Sequence, residues 1–351
     1  MTGSGAASAV PSPSPSPVPS PSSSSSPVPS SSPVPGAWDT VLGRRLVVDV
    51  PASTANLGAG YDCLGLALEL LNRVTVEVVV GDGSIELDVT GEGADELPAT
   101  RANRFVAGLE AALEALLGPR PAGIGWRIAM HNRIPLSRGL GSSAAATVGG
   151  VVAGNVLGGG TLPMATQLRL ATEIETHPDN ASAVLLGGFV VSAHLGERVE
   201  AVRFDAPDGL RAVLFIPERR LSTADMRRVL PLEVPLRDAV SNLSRVAIGV
   251  AGIASGRFDL LADLTVDRIH EPYRSVAYPQ LPRLTGAARA AGALGAFLSG
   301  AGSTVLAFVA PGADAAPVEA ALRDAAAAIG LDGRTTIVTP RNRGPEIVEG
   351  A

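Results

Sequence analysis

The sequence contains no lysine, and all 28 of its basic residues are arginine. A Walker-type phosphate loop, the strand lysine of a protein kinase and the Schiff base of a pyridoxal phosphate enzyme each need a primary amine on a side chain. The missing amine therefore excludes P-loop nucleotidases, protein kinases and pyridoxal phosphate enzymes from the possible functions.

Other residues and patterns are scarce as well. The single cysteine, Cys63, excludes an intramolecular disulfide and a multi-cysteine zinc site, and it suits a reducing cytoplasm. We find no uninterrupted apolar run of about 18 residues and no charged start followed by an apolar stretch, so we expect neither a membrane span nor a signal peptide. A net charge of −6 offers no basic footprint for nucleic acid. The sequence predicts a cytoplasmic protein that binds neither membrane nor nucleic acid.

Apolar residues make up 46% of the 351-residue chain, although aromatic residues account for only 3%. This is enough for one large domain or two ordinary ones, with a core of small aliphatic side chains. Residues 1–38 are almost entirely serine, proline, alanine, glycine and valine, and such a segment buries too little to offset its ordering entropy. We therefore expect a disordered tail ahead of the folded chain.

The stretch Ile134–Gly150 reads IPLSRGLGSSAAATVGG and predicts an anion site. Gly139 and Gly141 allow a tight turn, and small residues after Ser143 can open a helix whose N-terminus attracts phosphate. The stretch also spells GxGxxA, but it lacks the preceding strand and the later acidic residue of a dinucleotide site. It does not match the GxSxG of a hydrolase elbow. A helix start without any ligand stays open as an interpretation.

Two further polar clusters stand out. Asn56–Asp62 crowds asparagine, two glycines and aspartate into one loop, which is also ordinary turn chemistry. Leu168–Gly188 holds Glu173, Glu175, His177, Asp179 and Asn180 around Pro178, where one helix should end and another begin. In the structural interpretation of this cluster, Asp179 or Asn180 caps the second helix and the glutamates form a solvated helix face. As a metal site the cluster suits Mg²⁺ better than zinc, because Mg²⁺ needs few protein oxygens.

Hydrophobic periodicity predicts an α+β protein with a boundary near 205–209. We predict a strand from Leu46 that breaks at Pro51 and a further strand over 211–216. The expected hairpins pair 73–80 with 84–90 and join two strands within 295–309; single strands cover 126–132 and 335–339. Helices are expected over 103–117, 144–157, 222–231, 236–254, 258–269 and 317–329. Residues 341–351 are expected to form a tail.

The motifs resemble those of the GHMP kinase family. PxxxGLGSSAA is similar to the second signature of that family, PAxxANLGxGxD to the first and SGAGS at 299–303 to the third. HPDN and EPYR look most like the homoserine kinase members. The resemblance implies a two-domain GHMP kinase fold. Residues 39–207 would form an N-terminal domain of the ribosomal protein S5 domain 2-like type, and 208–340 a ferredoxin-like C-terminal domain.

The resemblance also implies ATP-dependent phosphorylation of the L-homoserine hydroxyl, the committed step toward threonine. The residues that would hold the ATP phosphates are Pro135, Leu136, Ser137, Arg138, Gly139, Leu140, Gly141, Ser142, Ser143, Ala144 and Ala145. Ser143 and Glu175 would hold Mg²⁺. The residues that would contact homoserine are Asn56, Asp62, His177, Asn180, Arg227 and Arg274. Catalysis would involve Asn56, Thr223 and Arg227.

In this scheme Asp62 meets the substrate ammonium, while Arg227 and Arg274 form bidentate pairs with its carboxylate. Thr223 would lie beside the reacting hydroxyl, and Asn103 is the residue we expect in the adenine pocket. Thr176 stands where the family usually has glycine. A homodimer is possible. Two other functions stay open, namely another small-molecule kinase of the family acting on mevalonate or a sugar, and a catalytically silent ATP-binding regulator.

Overall fold

The computed structural model describes residues 36–350. Its strands, in chain order, are β1 (Arg45–Ala55), β2 (Leu64–Val80), β3 (Ile85–Gly91), β4 (Ile124–Asn132), β5 (Phe189–Leu195), β6 (Arg198–Phe204), β7 (Arg211–Pro217), β8 (Gly295–Leu298), β9 (Val305–Val309), β10 (Gly333–Val338) and β11 (Glu346–Gly350). Its α-helices are α1 (Arg104–Leu117), α2 (Ser142–Leu157), α3 (Met164–Glu175), α4 (Pro178–Leu186), α5 (Thr223–Arg228), α6 (Leu236–Ser255), α7 (Leu261–Leu264), α8 (Glu271–Ala277), α9 (Leu281–Ala290) and α10 (Ala316–Ala327). Short 3-10 helices cover Ala37–Val41 and Phe258–Leu260.

The strands form two sheets. The first has seven strands in the order β11-β1-β2-β4-β3, with β5 beside the first part of β2 and β6 beyond β5. The second has four strands in the order β10-β7-β9-β8. Among the described residues only β3 and β4 pair in parallel, and α1 lies between them in the chain, as a parallel connection requires.

Helices α1 and α2 pack closely because glycines face each other across their contact. A Cβ atom on Gly108 would lie 2.2 Å from the Thr147 carbonyl oxygen, and one on Gly150 would lie 2.0 Å from that of Phe105. Helix α2 also packs against β1. This packing places the start of α2 beside the end of β1, where the polar loop 56–62 begins.

Two sequence predictions about strand pairing are wrong. The hairpin between 73–80 and 84–90 does not form, because β4 pairs with β2 on one side and β3 on the other. Inserting β4 buries Trp126, Ile128 and Met130 in the sheet's core, which a two-stranded hairpin could not do. The expected break at Pro51 is also absent, since β1 continues to Ala55 and absorbs the proline with a register shift.

Three further expectations need correction at the ends of elements. Residues 346–350 of the expected C-terminal tail form β11, which pairs with β1. Within the expected N-terminal tail, Trp38 is buried with its ring 6.2 Å from that of Trp126; residues 1–35 of that tail lie outside the described residues. The helix expected over 258–269 is replaced by Phe258–Leu260 and α7, because the Asp267 carboxylate accepts bonds from the next N–H groups.

The chain passes from the first sheet to the second between β6 and β7, at the expected boundary. Buried residues of both sheets nevertheless belong to one apolar cluster, in which Phe189 of β5 lies 6.2 Å from Phe308 of β9. A second, smaller cluster lies between the four-stranded sheet and helices α9 and α10. The division into domains at 207–208 therefore stays a prediction. None of the helices over 36–350 is long and apolar enough to cross a membrane.

Candidate active site

A cavity of about 220 Å³ opens where the two sheets meet. Most of the predicted site residues line it, namely Asn56, Asp62, Pro135, Ser137, Arg138, Gly139, Leu140, Gly141, Ser142, Ser143, Ala144, Glu175, His177, Asn180, Thr223, Arg227 and Arg274. Leu136 and Ala145 do not line this cavity and instead line a neighbouring one. The fold thus collects residues from both halves of the chain around one space.

The loop before α2 turns its carbonyl groups outward. The carbonyl oxygens of residues 137–140 each accept a hydrogen bond from the surrounding scaffold. Their donors, in order, are Leu221 N–H at 3.3 Å, Thr304 N–H at 3.1 Å, the Ser299 hydroxyl at 2.6 Å and Ser53 N–H at 3.2 Å. Over residues 36–350, no acceptor is found for the main-chain N–H groups of 138–144. The loop therefore presents unpaired donors at the positive end of α2, which is an anion-binding arrangement.

Glycine is required twice in this loop. Gly139 has φ 75° and Gly141 has φ 66°, both in the left-handed region. Space is also lacking, since a Cβ on Gly139 would lie 2.0 Å from the Ser299 carbonyl oxygen and one on Gly141 2.0 Å from Ser53 Oγ. The glycines thus let the loop press directly against the end of β1 and the turn after β8.

Glu175, the last residue of α3, lies beside the start of α2. Its Oε1 accepts hydrogen bonds from the Ser143 hydroxyl at 2.8 Å and the Thr147 hydroxyl at 2.6 Å. Thr176, the residue after it, adopts φ 76°, so threonine here takes the backbone conformation that glycine would take more easily. The described residues contain no group of three or more acidic, histidine or cysteine side chains that could hold a metal. A cation here would need oxygens from a ligand as well as from Glu175.

Asp62 and Arg227 pair with each other. The Arg227 guanidinium donates to Asp62 Oδ1 at 2.7 Å and to Oδ2 at 3.0 Å, and it also donates to the Tyr61 hydroxyl at 2.6 Å. His177 Nδ1 lies 3.8 Å from Asp62 Oδ2, and burial lowers the pKa of His177 below its usual range. One carboxylate and one guanidinium thus lie together at the cavity wall.

Arg274 is almost fully buried, although it lines the cavity. It donates to the carbonyl oxygens of Gly300 at 2.9 Å and Met226 at 3.2 Å. The Asn56 side-chain amide donates to the same Gly300 carbonyl at 2.9 Å, and the Asn56 side-chain oxygen accepts from Asp62 N–H. The glycine turn between β8 and β9 therefore joins Arg274 to the loop 56–62.

The HPDN stretch contributes Asn180 and Asp179. Asn180 Oδ1 accepts from the Ser53 hydroxyl at 2.8 Å, behind Gly141. The expected cap is wrong: His177 precedes α4 and neither Asp179 nor Asn180 caps it. Burial, and next the nearby Asp62 carboxylate, raise the pKa of Asp179 to about 6.

Sequence reasoning missed several residues of this site. Tyr61 contacts both arginines, and Thr147 contacts Glu175. Asp179 of the second polar cluster and Gly300 and Ala301 of the third signature line the cavity, although the sequence assigned none of the three an individual role. Thr147 was detectable, because it follows Ser143 by one helical turn and so faces the same side of α2. Tyr61 carried no such local signal.

The neighbouring cavity, of about 250 Å³, is mainly apolar. It shares Ser137, Ser142 and Ser143 with the first cavity and extends toward Phe105 and Met130. Asn103 lines it, and its side-chain NH₂ is buried without a hydrogen-bond partner in the described part of the chain. The two cavities therefore adjoin each other at the start of α2.

Comparison with known proteins agrees with this geometry. Residues 103–188 match the family model "GHMP kinases N terminal domain", and residues 250–328 match "GHMP kinases C terminal". The homoserine kinase of Moorella thermoacetica is 45% identical over 262 residues, which cover 75% of this chain and 86% of that protein. That of Carboxydothermus hydrogenoformans is 37% identical over 295 residues, covering 84% and 94%.

A solved structure gives the same result. The crystal structure of homoserine kinase from Cytophaga hutchinsonii superposes with a TM-score of 0.79 at 30% identity, covering 87% of this chain and 98% of that one. The expected two-domain kinase fold is confirmed by these matches. The chain belongs to the GHMP kinase family, phosphotransferases with an alcohol acceptor, and within that family to the homoserine kinases.

Proposed function

We propose that this protein transfers the γ-phosphoryl group of ATP to the side-chain hydroxyl of L-homoserine, giving O-phospho-L-homoserine and ADP. The observation that carries the proposal is the loop at 137–144, in which the carbonyl groups of 137–140 are bonded to the scaffold while the N–H groups of 138–144 have no acceptor over residues 36–350. Such a loop can bind the anions of a triphosphate without any ammonium side chain.

The apolar cavity beside the loop is the proposed nucleoside site. It adjoins Ser142 and Ser143, so a nucleotide bound there would have its phosphates at the start of α2. The buried NH₂ group of Asn103 has no partner over residues 36–350, and an unsatisfied buried donor costs about 1–3 kcal/mol. This favours a ligand that places a hydrogen-bond acceptor in the cavity. Asn103 is accordingly proposed to contact the adenine.

The proposed Mg²⁺ ligands are Ser143 and Glu175. The fit is supported by their direct contact and by the chemistry of the donors, since Mg²⁺ prefers oxygen and takes one or two protein ligands together with phosphates. When bound, Mg²⁺ neutralises charge on the transferred phosphoryl group. Thr147 donates to the same Glu175 oxygen as Ser143 and so limits the orientation of the carboxylate.

Opposite charges would orient the amino acid. Asp62 is proposed to bind the substrate ammonium, and Arg227 and Arg274 its carboxylate. Asn56, His177, Asn180 and Thr223 line the same cavity and are proposed to direct the hydroxyl toward the phosphate loop. A zwitterion held at both ends has one productive direction, which lowers the entropy lost in reaching the transition state.

No side chain is assigned as a general base. Phosphoryl transfer has a loose transition state and depends mainly on placement and charge neutralisation. In this scheme the catalytic role is therefore binding and charge neutralisation. Asn56, Thr223 and Arg227 bind and orient the hydroxyl end of the substrate and offset the negative charge of the phosphoryl group. Placement of this activity in threonine synthesis and in the cytoplasm, and a possible homodimer, are part of the same proposal.

The test is an ADP-release assay with Mg-ATP and four acceptors: homoserine, mevalonate, galactose and shikimate. Turnover with homoserine alone supports the proposal. Turnover with another alcohol would favour a different kinase of the family, and no turnover with any acceptor would favour an ATP-binding regulator. Omitting Mg²⁺, with EDTA present, should abolish the reaction.

A further inference from the structure

His270 is a fully buried histidine that the proposed chemistry does not use. It lies immediately before α8 and contacts both parts of the substrate pocket. Its Nε2 is 2.8 Å from the Gly58 carbonyl oxygen, in the loop that carries Asn56 and Asp62, and its Nδ1 is 3.2 Å from a terminal nitrogen of Arg274. One imidazole ring thus bridges two segments that supply proposed substrate contacts.

The partners determine where the proton is. A carbonyl oxygen only accepts, so Nε2 must carry a proton and donate to Gly58. A guanidinium only donates, so Nδ1 must be unprotonated and accept from Arg274. The ring is therefore neutral in this arrangement. Protonating Nδ1 would both remove the acceptor and set two positive groups against each other.

The environment of the ring supports this neutral form. Burial lowers the pKa of His270 to about 4. The Asp267 carboxylate, 3.8 Å from Nε2, already accepts from the N–H groups of Ile269, His270 and Glu271. The Tyr61 ring lies 5.2 Å from the imidazole, and the Arg274 guanidinium lies 5.3 Å from the same tyrosine ring.

Arg274 has three acceptors on one side. Its Nε and one terminal nitrogen bond to Met226, Gly300 and His270, while the other terminal nitrogen has no acceptor among residues 36–350. Two of those acceptors are main-chain carbonyls that belong to whole segments of the fold. The imidazole is the only side chain of the three, so it is the one that substitution can remove cleanly.

We propose that His270 is a positioning residue: its Nε2–H bond to Gly58 holds the ring in the neutral tautomer, and its Nδ1 accepts from Arg274 and so sets the orientation of that guanidinium in the substrate-carboxylate site. This inference rests on the proposed function, in which Arg274 binds the carboxylate of the amino acid. The residue acts through Arg274 and needs no contact with substrate.

The test uses two substitutions that separate the two bonds of the ring. In His270→Asn the side-chain oxygen can take the place of Nδ1 and accept from Arg274, whereas the bond to Gly58 is lost. In His270→Gln the amide reaches the place of Nε2 and can donate to Gly58, but Arg274 loses its acceptor. Each variant is thus the control for the other, because both replace a buried imidazole by an amide.

We expect His270→Gln to raise the homoserine KM about tenfold or more, as for loss of a hydrogen bond to a charged group. His270→Asn should leave the homoserine KM within about threefold, and the ATP KM should stay within about twofold in both variants because nucleotide contacts lie elsewhere. Adding His270→Gln to Arg274→Ala should have no further effect on homoserine KM, since the partner is already gone.

Equal changes in homoserine KM for the two variants, or an equal rise in the KM of both substrates, would overturn the inference. If neither variant folds, ¹⁵N-histidine NMR of the wild type and Arg274→Gln decides. A shift of the His270 Nδ1 resonance supports the proposal, and its absence refutes it. Failure of the proposed function is a separate result, because it appears as no homoserine turnover by the wild-type protein.

Discussion

At the scale of single residues, Asp62 and Arg227 are the pair whose partners the sequence did not reveal. Each was expected to bind one end of a zwitterion, and the structure joins them in a bidentate ion pair across 165 positions of the chain. A ligand that attracts only one of the two leaves the other without its counter-charge. A ligand that carries both charges offers each a new partner, and this favours amino acids over simple hydroxy acids.

Asp62→Asn keeps the size of the side chain and removes its charge. We expect kcat/KM for homoserine to fall about 10- to 100-fold, as for a lost charge-assisted hydrogen bond, while the ATP KM changes little. The matched control substrate is 4-hydroxybutanoate, which lacks the ammonium group and should react no worse with the variant than with the wild type. A similar loss for both acceptors would contradict the assignment of Asp62 to the ammonium.

At the scale of elements, the phosphate loop combines a conformational and a steric requirement. Gly139→Ala places a Cβ about 2.0 Å from the Ser299 carbonyl oxygen at φ 75°. Because that oxygen is main chain, the loop itself must move, and we expect the ATP KM to rise at least tenfold, by about 1.4 kcal/mol or more. Steady-state kinetics with varied ATP measures this effect.

The control for that variant is Gly160→Ala. Gly160 has φ 72° and no atom within 4 Å of an added Cβ, so it carries the same backbone strain without the close approach. Its thermal stability should fall modestly and its ATP KM should stay unchanged. If Gly139→Ala shows no larger effect on ATP than this control, the loop does not bind phosphate as proposed.

Helix α8 contains a buried carboxyl group that predicts a pH dependence of stability. Glu271 Oε1 accepts from Leu298 N–H of β8 at 2.7 Å, and burial raises the pKa of Glu271 from 4.5 to about 8. Between pH 4.5 and pH 8 the Glu271 carboxyl group therefore stays protonated in the folded state, whereas in the unfolded state it is ionised. This contribution to stability is complete below pH 4.5 and declines through the window up to pH 8, by at most about 1.4 kcal/mol per pH unit.

Glu271→Gln removes this titration and keeps an oxygen that can accept from Leu298. We expect the variant and the wild type to melt at similar temperatures at pH 5, and the variant to melt several degrees higher at pH 8. The contributions of all other titrating groups to the pH dependence are the same in both proteins and cancel in the comparison. A constant difference in melting temperature between the two pH values would show that the carboxyl group is ionised in the folded protein throughout.

Local sequence signals predicted many of the elements well. Helix α1 follows its asparagine cap, Asn103 accepting from Phe105 N–H, and Ser222 caps α5. The expected hairpin of β8 and β9 is confirmed. The pairing of β2 with β4 was not predictable in this way, since alternation assigns a strand but does not say which strand lies beside it.

At the scale of the whole molecule, the chain closes on itself through its C-terminal strand. β11 extends the first sheet beyond β1, and the buried Arg341 holds both Glu69 and Glu346 with distances of 2.6 and 3.1 Å. Phe189 and Phe308 meet in the shared core of the two sheets. The candidate active site therefore lies between parts of the fold that stabilise each other.

A chain that ends at Pro345 loses β11 and one partner of Arg341. We expect its melting temperature to fall by several degrees, because the edge of β1 becomes unpaired and a buried guanidinium loses a counter-charge. The KM values should change little, since no residue of 346–350 lines either cavity. A chain that ends at Gly350 is the control, and equal melting temperatures of the two chains would show that β11 contributes nothing to stability.

The sequence by itself determined what depends on neighbouring residues, namely the tight glycine loop, the helix that follows it, several helix ends and the absence of any lysine chemistry. Its motifs were also enough to indicate the kinase family. Only the tertiary structure decided that β4 separates β2 from β3, that Asp62 pairs with Arg227 and that His270 joins Arg274 to Gly58. Those contacts depend on which distant segments pack together, and that is decided by burial across the whole fold rather than by any local pattern.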